Sequence, residues 1–118
     1  FGGNAFATSC GTVVMHELLD GGLLDNVKKQ GELLSKRLIE LKQKHSIIKE
    51  ARGFGLIQGI ELTIPAGDVI ADCINKGLLL VGAGANVIRF VPALIVTEKE
   101  INEAMDILDK ALFRAEEK

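Results

Sequence analysis

The chain has 118 residues, of which 47% are hydrophobic and 25% charged, a composition typical of one globular domain with a modest core. Fourteen Lys and Arg against 16 Asp and Glu give a net charge of −2, which argues against nucleic acid as a partner. The apolar runs are too short to cross a bilayer and no signal-peptide pattern is visible, so we expect no membrane segment.

Two helices are predicted before any strand. Asn4 is a good N-cap, and the apolar residues after it recur at helical spacing up to the Gly21–Gly22 pair. A second helix is predicted from about Asp25 to Lys44, with charged residues on its wet side. The first helix has one apolar stripe, formed by Phe6, Cys10, Val13, Val14 and Leu18. The second has a stripe that is expected to be buried, formed by Val27, Gly31, Leu34, Leu38 and Leu41.

A hairpin is predicted next, with strands at 47–52 and 56–62 and a turn at Gly53–Gly55. A short helix begins at Asp68 and ends at Gly77, with Val69, Ile70, Cys73 and Ile74 expected inside.

Short strands are then predicted at 78–81 and 87–91. In the last helix Thr97 and Glu100 form a capping box, and fraying is expected from Arg114 to Lys118. Its expected buried face is Ile101, Ala104, Met105, Leu108, Ala111 and Leu112.

This order of elements predicts an α+β fold: a small sheet of about four strands with helices packed on it, preceded by a long linking helix. Residues 1–22 are predicted to be that linking helix from a large domain, and residues 23–118 a C-terminal small domain. The chain begins Phe1-Gly2-Gly3-Asn4 without Met, and we expect it to be a fragment of a longer polypeptide.

Arg89 is the most informative residue, because it stands inside the apolar run Val87–Val91. That run predicts a buried strand, and a buried guanidinium is costly unless an anion meets it. The planar fork of arginine suits a carboxylate. Two interpretations remain open: Arg89 pairs with an acid of its own fold, or it binds a ligand.

The other candidate sites are weaker. Gly53-x-Gly55-x-x-x-Gly59 has the wrong spacing for a dinucleotide loop and precedes a strand, so it predicts a tight turn or bulge. The 82–86 segment favours a plain connection between strands, with a flexible ligand loop as the alternative. Arg52 is expected to fix the hairpin or to pair with a local acid. The ten lysines mostly fall on polar helix faces, so no covalent nucleophile is indicated.

Cysteine and histidine usage indicates no metal site. Cys10 and Cys73 both fall on predicted apolar helix faces and are expected to be small core residues. Their spacing indicates no disulfide, and neither His16 nor His45 has ligand spacing to an acid or a cysteine. This usage favours a cytoplasmic protein.

Three separated strings resemble one family. Phe1–Ala7 resembles the segment that follows the cofactor-lysine region in class III aminotransferases, which are pyridoxal-phosphate enzymes of fold type I. Arg52–Glu61 resembles the small-domain hairpin of that family, and Gly77–Leu80 followed by Asn86–Leu94 resembles its substrate-arginine segment. The match covers essentially the whole chain in the right order, and is closest to acetylornithine aminotransferases, with ornithine and 4-aminobutyrate aminotransferases next.

The resemblance implies that Arg89 grips the α-carboxylate of an amino-acid substrate. It implies that Gly2, Gly3 and Asn4 are backbone near the cofactor, and that the Schiff-base lysine lies upstream, so that this fragment holds no catalytic residue and is inactive. The implied partners are the missing large domain and a second subunit of a homodimer. The implied cofactor is pyridoxal phosphate, in the full-length parent rather than the fragment.

The reaction implied by the resemblance is amino transfer from N-acetylornithine to 2-oxoglutarate, in arginine biosynthesis. The main alternative is a free-standing amino-acid-binding regulatory module that uses Arg89, and a further one is an interaction domain with Arg89 in an internal pair. A fragment is expected to expose apolar surface on its first helix, where a large domain packs, whereas a natural module is expected to bury it.

Overall fold

The computed structural model describes residues 2–118, and within them it has four helices and four strands in the predicted order. The elements are α1 (Ala5–Leu19), α2 (Leu23–Lys44), β1 (Ile48–Phe54), β2 (Ile57–Leu62), α3 (Gly67–Asn75), β3 (Val81–Gly82), β4 (Val87–Phe90) and α4 (Glu98–Glu116). The predicted α+β fold is confirmed.

The four strands form one antiparallel sheet in the order β1-β2-β4-β3, so β2 and β4 are its central strands. Residues that alternate along these strands face opposite sides. Ile60, Leu62, Ile88 and Phe90 are buried on the side that α2, α3 and α4 cover. We call the other side the open face; it carries Arg52, Ile57, Gly59, Glu61, Val81, Val87 and Arg89.

The hairpin packs tightly against α2 through two glycines and a glutamine. Gly55 has a φ of 57°, a left-handed conformation that favours glycine in the turn between β1 and β2. A Cβ at Gly31 would lie 2.6 Å from the carbonyl oxygen of Gly55. The buried Gln58 donates from Nε2 to the carbonyl oxygens of Gly31 at 2.8 Å and Gly55 at 2.7 Å. These contacts fix the sheet relative to α2.

The capping box predicted for the last helix is confirmed. The Thr97 hydroxyl accepts from the Glu100 backbone N–H, and Glu100 Oε2 accepts from the Thr97 backbone N–H at 2.9 Å. The helix then runs to Glu116, beyond the residue at which fraying was expected. Arg114 Nε donates to Asp72 Oδ2 of α3 at 2.6 Å, and this contact holds the last turns of α4 against the fold.

Helix α1 forms as predicted and leaves its apolar stripe exposed, as expected of a fragment, but the prediction for Cys10 was wrong. None of its residues is buried, and Phe6 is 81% exposed. Cys10, expected in the core, is exposed, whereas Cys73 is buried. The apolar spacing indicates a face suited to burial, but within residues 2–118 α1 packs mainly against α2.

Two smaller predictions also differ. The strand expected at 78–81 is only the two residues of β3, because Leu78 to Leu80 approach the sheet without ladder hydrogen bonds. Ile74 was expected inside and is 46% exposed at the end of α3.

The division into residues 1–22 and 23–118 stays a prediction. Among residues 2–118, no helix has the length and apolar character needed to span a bilayer.

Candidate functional site

Arg89 projects from β4 on the open face of the sheet. Its strand neighbours Ile88 and Phe90 point the other way and are buried, while Arg89 is exposed. The sequence prediction of a buried guanidinium was therefore wrong. A run of apolar residues predicts a strand covered on both faces, but residues 2–118 cover this strand on one face only.

Arg89 is distinguished by the absence of an acid partner. The chain has four arginines, and Arg37, Arg52 and Arg114 each form an ion pair with a carboxylate. Among residues 2–118, no carboxylate lies within 4.0 Å of the Arg89 guanidinium. The internal pair that the sequence left open is not formed in this part of the chain.

A small cavity of about 120 Å³ lies beside Arg89, between β4 and the start of α4. Its lining is apolar apart from Arg89 and Glu100, and includes Leu79, Phe90 and Pro92. Glu100 is committed to the capping box, where hydrogen bonds from the backbone N–H and then the hydroxyl of Thr97 lower its pKa. The one acid in the cavity lining is thus engaged by Thr97, and the guanidinium keeps its capacity to bind an external carboxylate.

The segment after β4 is held in place from α2. Asn26 Nδ2 donates to the carbonyl oxygens of Leu94 at 2.7 Å and Val96 at 3.1 Å. These two bonds span almost 70 residues of sequence and fix the chain that leaves Arg89. No sequence pattern indicated this role for Asn26.

Arg52 lies on the same open face, in β1, and β2 lies between it and the strand β4 that carries Arg89. Its guanidinium Nη1 donates to Glu61 Oε2 at 2.8 Å and to Glu50 Oε2 at 3.0 Å, and Lys49 Nζ donates to Glu61 Oε1 at 2.6 Å. Hydrogen bonds from Lys49 and then Arg52 lower the pKa of the Glu61 carboxyl. The prediction that Arg52 pairs with a local acid is confirmed.

The structure places Gly2, Gly3 and Asn4 at the start of α1, where they are exposed. Asn4 is the N-cap, and its Oδ1 accepts from the Ala7 backbone N–H at 2.9 Å. None of the three lines the cavity beside Arg89. The structure does not bring them together with Arg89 in one cavity, and their expected place near a cofactor stays a prediction.

His45 occupies an acid-rich setting that the sequence reasoning missed. It is 1% exposed, with Nε2 2.6 Å from Asp109 Oδ1 and Nδ1 2.9 Å from Glu116 Oε2. Both acids come from α4, more than 60 positions away, so no local spacing could reveal them. Within residues 2–118, no three His, Cys, Asp or Glu residues are grouped to hold a metal ion.

Comparison with known proteins identifies the family. The family model described as "Aminotransferase class-III" matches residues 1–112. The chain belongs to the class III aminotransferases.

Its relatives by sequence carry a consistent name. The acetylornithine aminotransferase of Nostoc sp. is 48% identical over 118 residues, covering 95% of this chain and 27% of that protein. The acetylornithine aminotransferase of Caldanaerobacter subterraneus subsp. tengcongensis is 43% identical over 113 residues, covering 95% of this chain and 29% of that protein.

Solved structures agree with the sequence matches. The N-acetylornithine aminotransferase of Stenotrophomonas maltophilia superposes with a TM-score of 0.88 at 28% identity, over 96% of this chain and 32% of that one. The acetylornithine aminotransferase of Elizabethkingia anophelis gives 0.89 at 25% identity, over 95% and 30%. This aminotransferase chain thus spans about three-tenths of the length of the relatives it matches.

No lysine among residues 2–118 lies in a buried setting of the kind that favours a Schiff base. All ten lysines are exposed, and none sits in an apolar site that would favour a neutral, nucleophilic amine. Arg89 does fit one part of an aminotransferase site, because a carboxylate is the natural ligand of its fork.

Proposed function

We propose that this chain is the substrate-carboxylate-binding part of an acetylornithine aminotransferase, and that Arg89 grips the α-carboxylate of the amino-acid substrate. The observation that carries the proposal is the guanidinium of Arg89, which stands on the open face without an acid partner in residues 2–118. Two parallel hydrogen bonds from that fork would fix both the position and the orientation of the substrate.

N-acetylornithine is proposed as the amino donor and 2-oxoglutarate as the acceptor, in arginine biosynthesis. Support comes from relatives that carry the name acetylornithine aminotransferase at 43% and 48% identity. The fold alone is less discriminating, because an S-selective transaminase of Arthrobacter sp. also matches with a TM-score of 0.88. An ornithine or 4-aminobutyrate donor is the alternative within the family.

Pyridoxal phosphate is proposed as the cofactor of the full-length enzyme, since the family depends on it. When bound, it supplies the electron sink for the reaction. With every lysine of this chain exposed, we propose that a lysine outside these 118 residues anchors the cofactor, and that the chain by itself is inactive.

We propose that a large domain and a second subunit cover α1. Phe6, Val13 and Leu19 are each more than 60% exposed. The hydroxyls of Ser9 and Thr12 donate to carbonyl oxygens one turn earlier, at 2.7 and 3.0 Å, so burial would leave neither hydroxyl unsatisfied. An exposed apolar helix of this kind favours the fragment over a free-standing module.

Both thiols are free, which supports a cytoplasmic location.

Kinetics of the full-length enzyme test the role of Arg89. We expect Arg89→Lys to lower kcat/KM for N-acetylornithine by about 100-fold, because a point charge cannot copy the fork and misplaces the substrate. Arg37→Lys is the matched control, because Arg37 pairs with Glu40 and Asp106 on the helical layer. Equal kcat/KM for wild type and Arg89→Lys would refute the proposal.

The cofactor proposal has its own spectroscopic test. Pyridoxal phosphate is added to the 118-residue chain and to the full-length polypeptide, and Schiff-base absorbance is recorded. We expect the signal in the full-length polypeptide only. A stable Schiff base in the short chain would refute the view that the anchoring lysine lies outside it.

A further inference from the structure

Asn26, Gln30 and Leu34 lie on one side of α2, because residues four apart in a helix share a face. Leu34 lines the cavity beside Arg89, together with Val96. Asn26 holds the turn that follows β4 through two hydrogen bonds. Gln30 therefore lies one helical turn from each, between the wall of the cavity and the residue that fixes the chain leaving Arg89.

Gln30 is a buried polar residue whose amide is only half satisfied. It is 5% exposed, and its Nε2 donates to Asn26 Oδ1 in a long hydrogen bond of 3.5 Å. Its Oε1 is buried and has no hydrogen-bond partner among residues 2–118. A buried amide oxygen without a partner costs stability. An apolar side chain of similar size would avoid that cost, so core packing alone does not account for an amide at this position.

The contacts of Asn26 explain why one end of the Gln30 amide is left over. The carbonyl oxygens of Leu94 and Val96 only accept, so the Asn26 amide must present its NH₂ group to them, at 2.7 and 3.1 Å. The Asn26 Oδ1 atom then points the other way and requires a donor. Gln30 Nε2 is that donor, and turning its NH₂ group toward Asn26 leaves Oε1 of Gln30 without a partner.

We infer that Gln30 is a positioning residue for the substrate site, which acts through Asn26 to hold the turn after β4 and so the position of Arg89. The role of Arg89 in this inference rests on the proposed function, whereas the contact between Gln30 and Asn26 does not. The turn itself is closed by a hydrogen bond from the Val96 N–H to the Ala93 carbonyl oxygen at 2.9 Å. When Asn26 is no longer held, the turn and the end of β4 move more freely, and ordering them again on substrate binding costs affinity.

Gln30→Met in the full-length enzyme tests the inference, because it keeps a side chain of similar length and removes both amide groups. We expect the KM for the amino donor to rise about fivefold and kcat to change less than twofold, since a less fixed Arg89 weakens binding. Hydrogen exchange over 93–97 should become faster. The midpoint of global unfolding should stay the same or rise, because a buried oxygen without a partner is removed.

Leu38→Met is the matched control, because it places the same side chain at another buried position of α2 that does not line the cavity beside Arg89. It is expected to leave the KM and the exchange over 93–97 unchanged.

The double variant Asn26→Ala/Gln30→Met separates a positioning role from a structural one. In the Asn26→Ala background, Gln30→Met is expected to change the KM less than twofold, because the residue through which it acts is already gone. A second fivefold rise there, an unchanged KM in Gln30→Met, or faster exchange throughout the chain with a lower unfolding midpoint would each overturn the inference. Gln30→Leu carries the same predictions if Gln30→Met does not fold, and failure of both to fold would assign Gln30 to the core and overturn the inference as well.

Failure of the proposed function is seen separately. An unchanged kcat/KM in Arg89→Lys refutes the proposed function whatever the result for Gln30→Met. A lowered kcat/KM in Arg89→Lys with an unchanged KM in Gln30→Met refutes only the inference about Gln30.

Discussion

The imidazole Nε2 of His45, at the end of α2, lies 2.6 Å from Asp109 Oδ1 of α4, and the second ring nitrogen faces Glu116 at 2.9 Å. Lys44 also donates to Asp109, at 2.6 Å. Each ring nitrogen of His45 therefore lies within hydrogen-bond distance of a carboxylate oxygen from α4. The cluster of the buried His45 with the partly exposed side chains of Asp109 and Glu116 ties the end of α2 to the second half of α4.

This cluster predicts a loss of stability in acid. Burial alone would raise the pKa of Asp109 and of Glu116. Hydrogen bonds outweigh this effect and lower both pKa values: Asp109 is bonded to Lys44 and His45, and Glu116 to His45 and to backbone N–H groups. A carboxyl whose pKa is lower in the folded state stabilises the fold above its unfolded pKa and loses that contribution as pH falls through the folded pKa. We therefore expect the free energy of unfolding to fall steadily below about pH 4.

Denaturant unfolding at a series of pH values checks this prediction. Asp109→Asn is expected to cost about 1 to 3 kcal/mol at pH 7, because the buried His45 keeps a weaker partner, and to flatten the acid limb. Asp106→Asn is the control, since Asp106 is on the same helix but 69% exposed. An acid limb of unchanged steepness in Asp109→Asn would contradict the assignment.

Gly31→Ala is expected to destabilise the chain, although replacing a glycine within a helix by alanine is usually stabilising. Alanine normally favours a helix by about 1 kcal/mol over glycine. Here the new methyl group would lie 2.6 Å from the Gly55 carbonyl oxygen and would push α2 away from the hairpin and from Gln58. We expect a net loss of about 1 to 3 kcal/mol by chemical denaturation. Gly11→Ala, where a Cβ meets nothing within 4 Å in α1, is the control and is expected to be neutral or stabilising.

Asn26→Ala is expected to loosen the segment that follows Arg89. The variant leaves the carbonyl oxygens of Leu94 and Val96 without their side-chain donor and should cost about 1 to 2 kcal/mol. In the full-length enzyme it should also raise the KM for the amino donor, since Arg89 loses a fixed neighbour. Hydrogen exchange over 93–97 provides the local readout, and unchanged protection there would rule out this anchoring role.

The two cysteines are expected to react very differently with a thiol reagent. Cys10 is exposed on α1, whereas Cys73 is 0% exposed and burial, followed by the charge of Asp72, raises its pKa to about 11. In the 118-residue chain we expect one fast thiol and one that reacts only on unfolding. In the full-length polypeptide Cys10 should become protected as well if α1 is packed. Equal reactivity of Cys10 in both would argue against a covered α1.

Features encoded by neighbouring residues were predictable. Thr97 and Glu100 lie three positions apart, and their capping box forms as expected because the geometry is local. The order of elements was predictable for the same reason, since apolar periodicity reports each helix and strand separately. Arg89 stood out in the sequence because a charge interrupts an apolar run.

Features that depend on what covers a surface were not predictable. The spacing of Phe6, Val13 and Val14 indicates an apolar face, yet no sequence pattern states whether this chain or another segment buries it. The same ambiguity made Arg89 look buried. The acids around His45 and the carbonyl oxygens that accept from Asn26 were missed, because each lies more than 60 positions from its partner and meets it only in the folded chain.

Every buried residue in the described part of the chain lies at or after Gln30, and none belongs to α1. A polypeptide starting at Leu23 would therefore keep every buried residue and lack the exposed apolar helix α1. We expect the 23–118 polypeptide to sediment as a monomer at concentrations where the 118-residue chain self-associates.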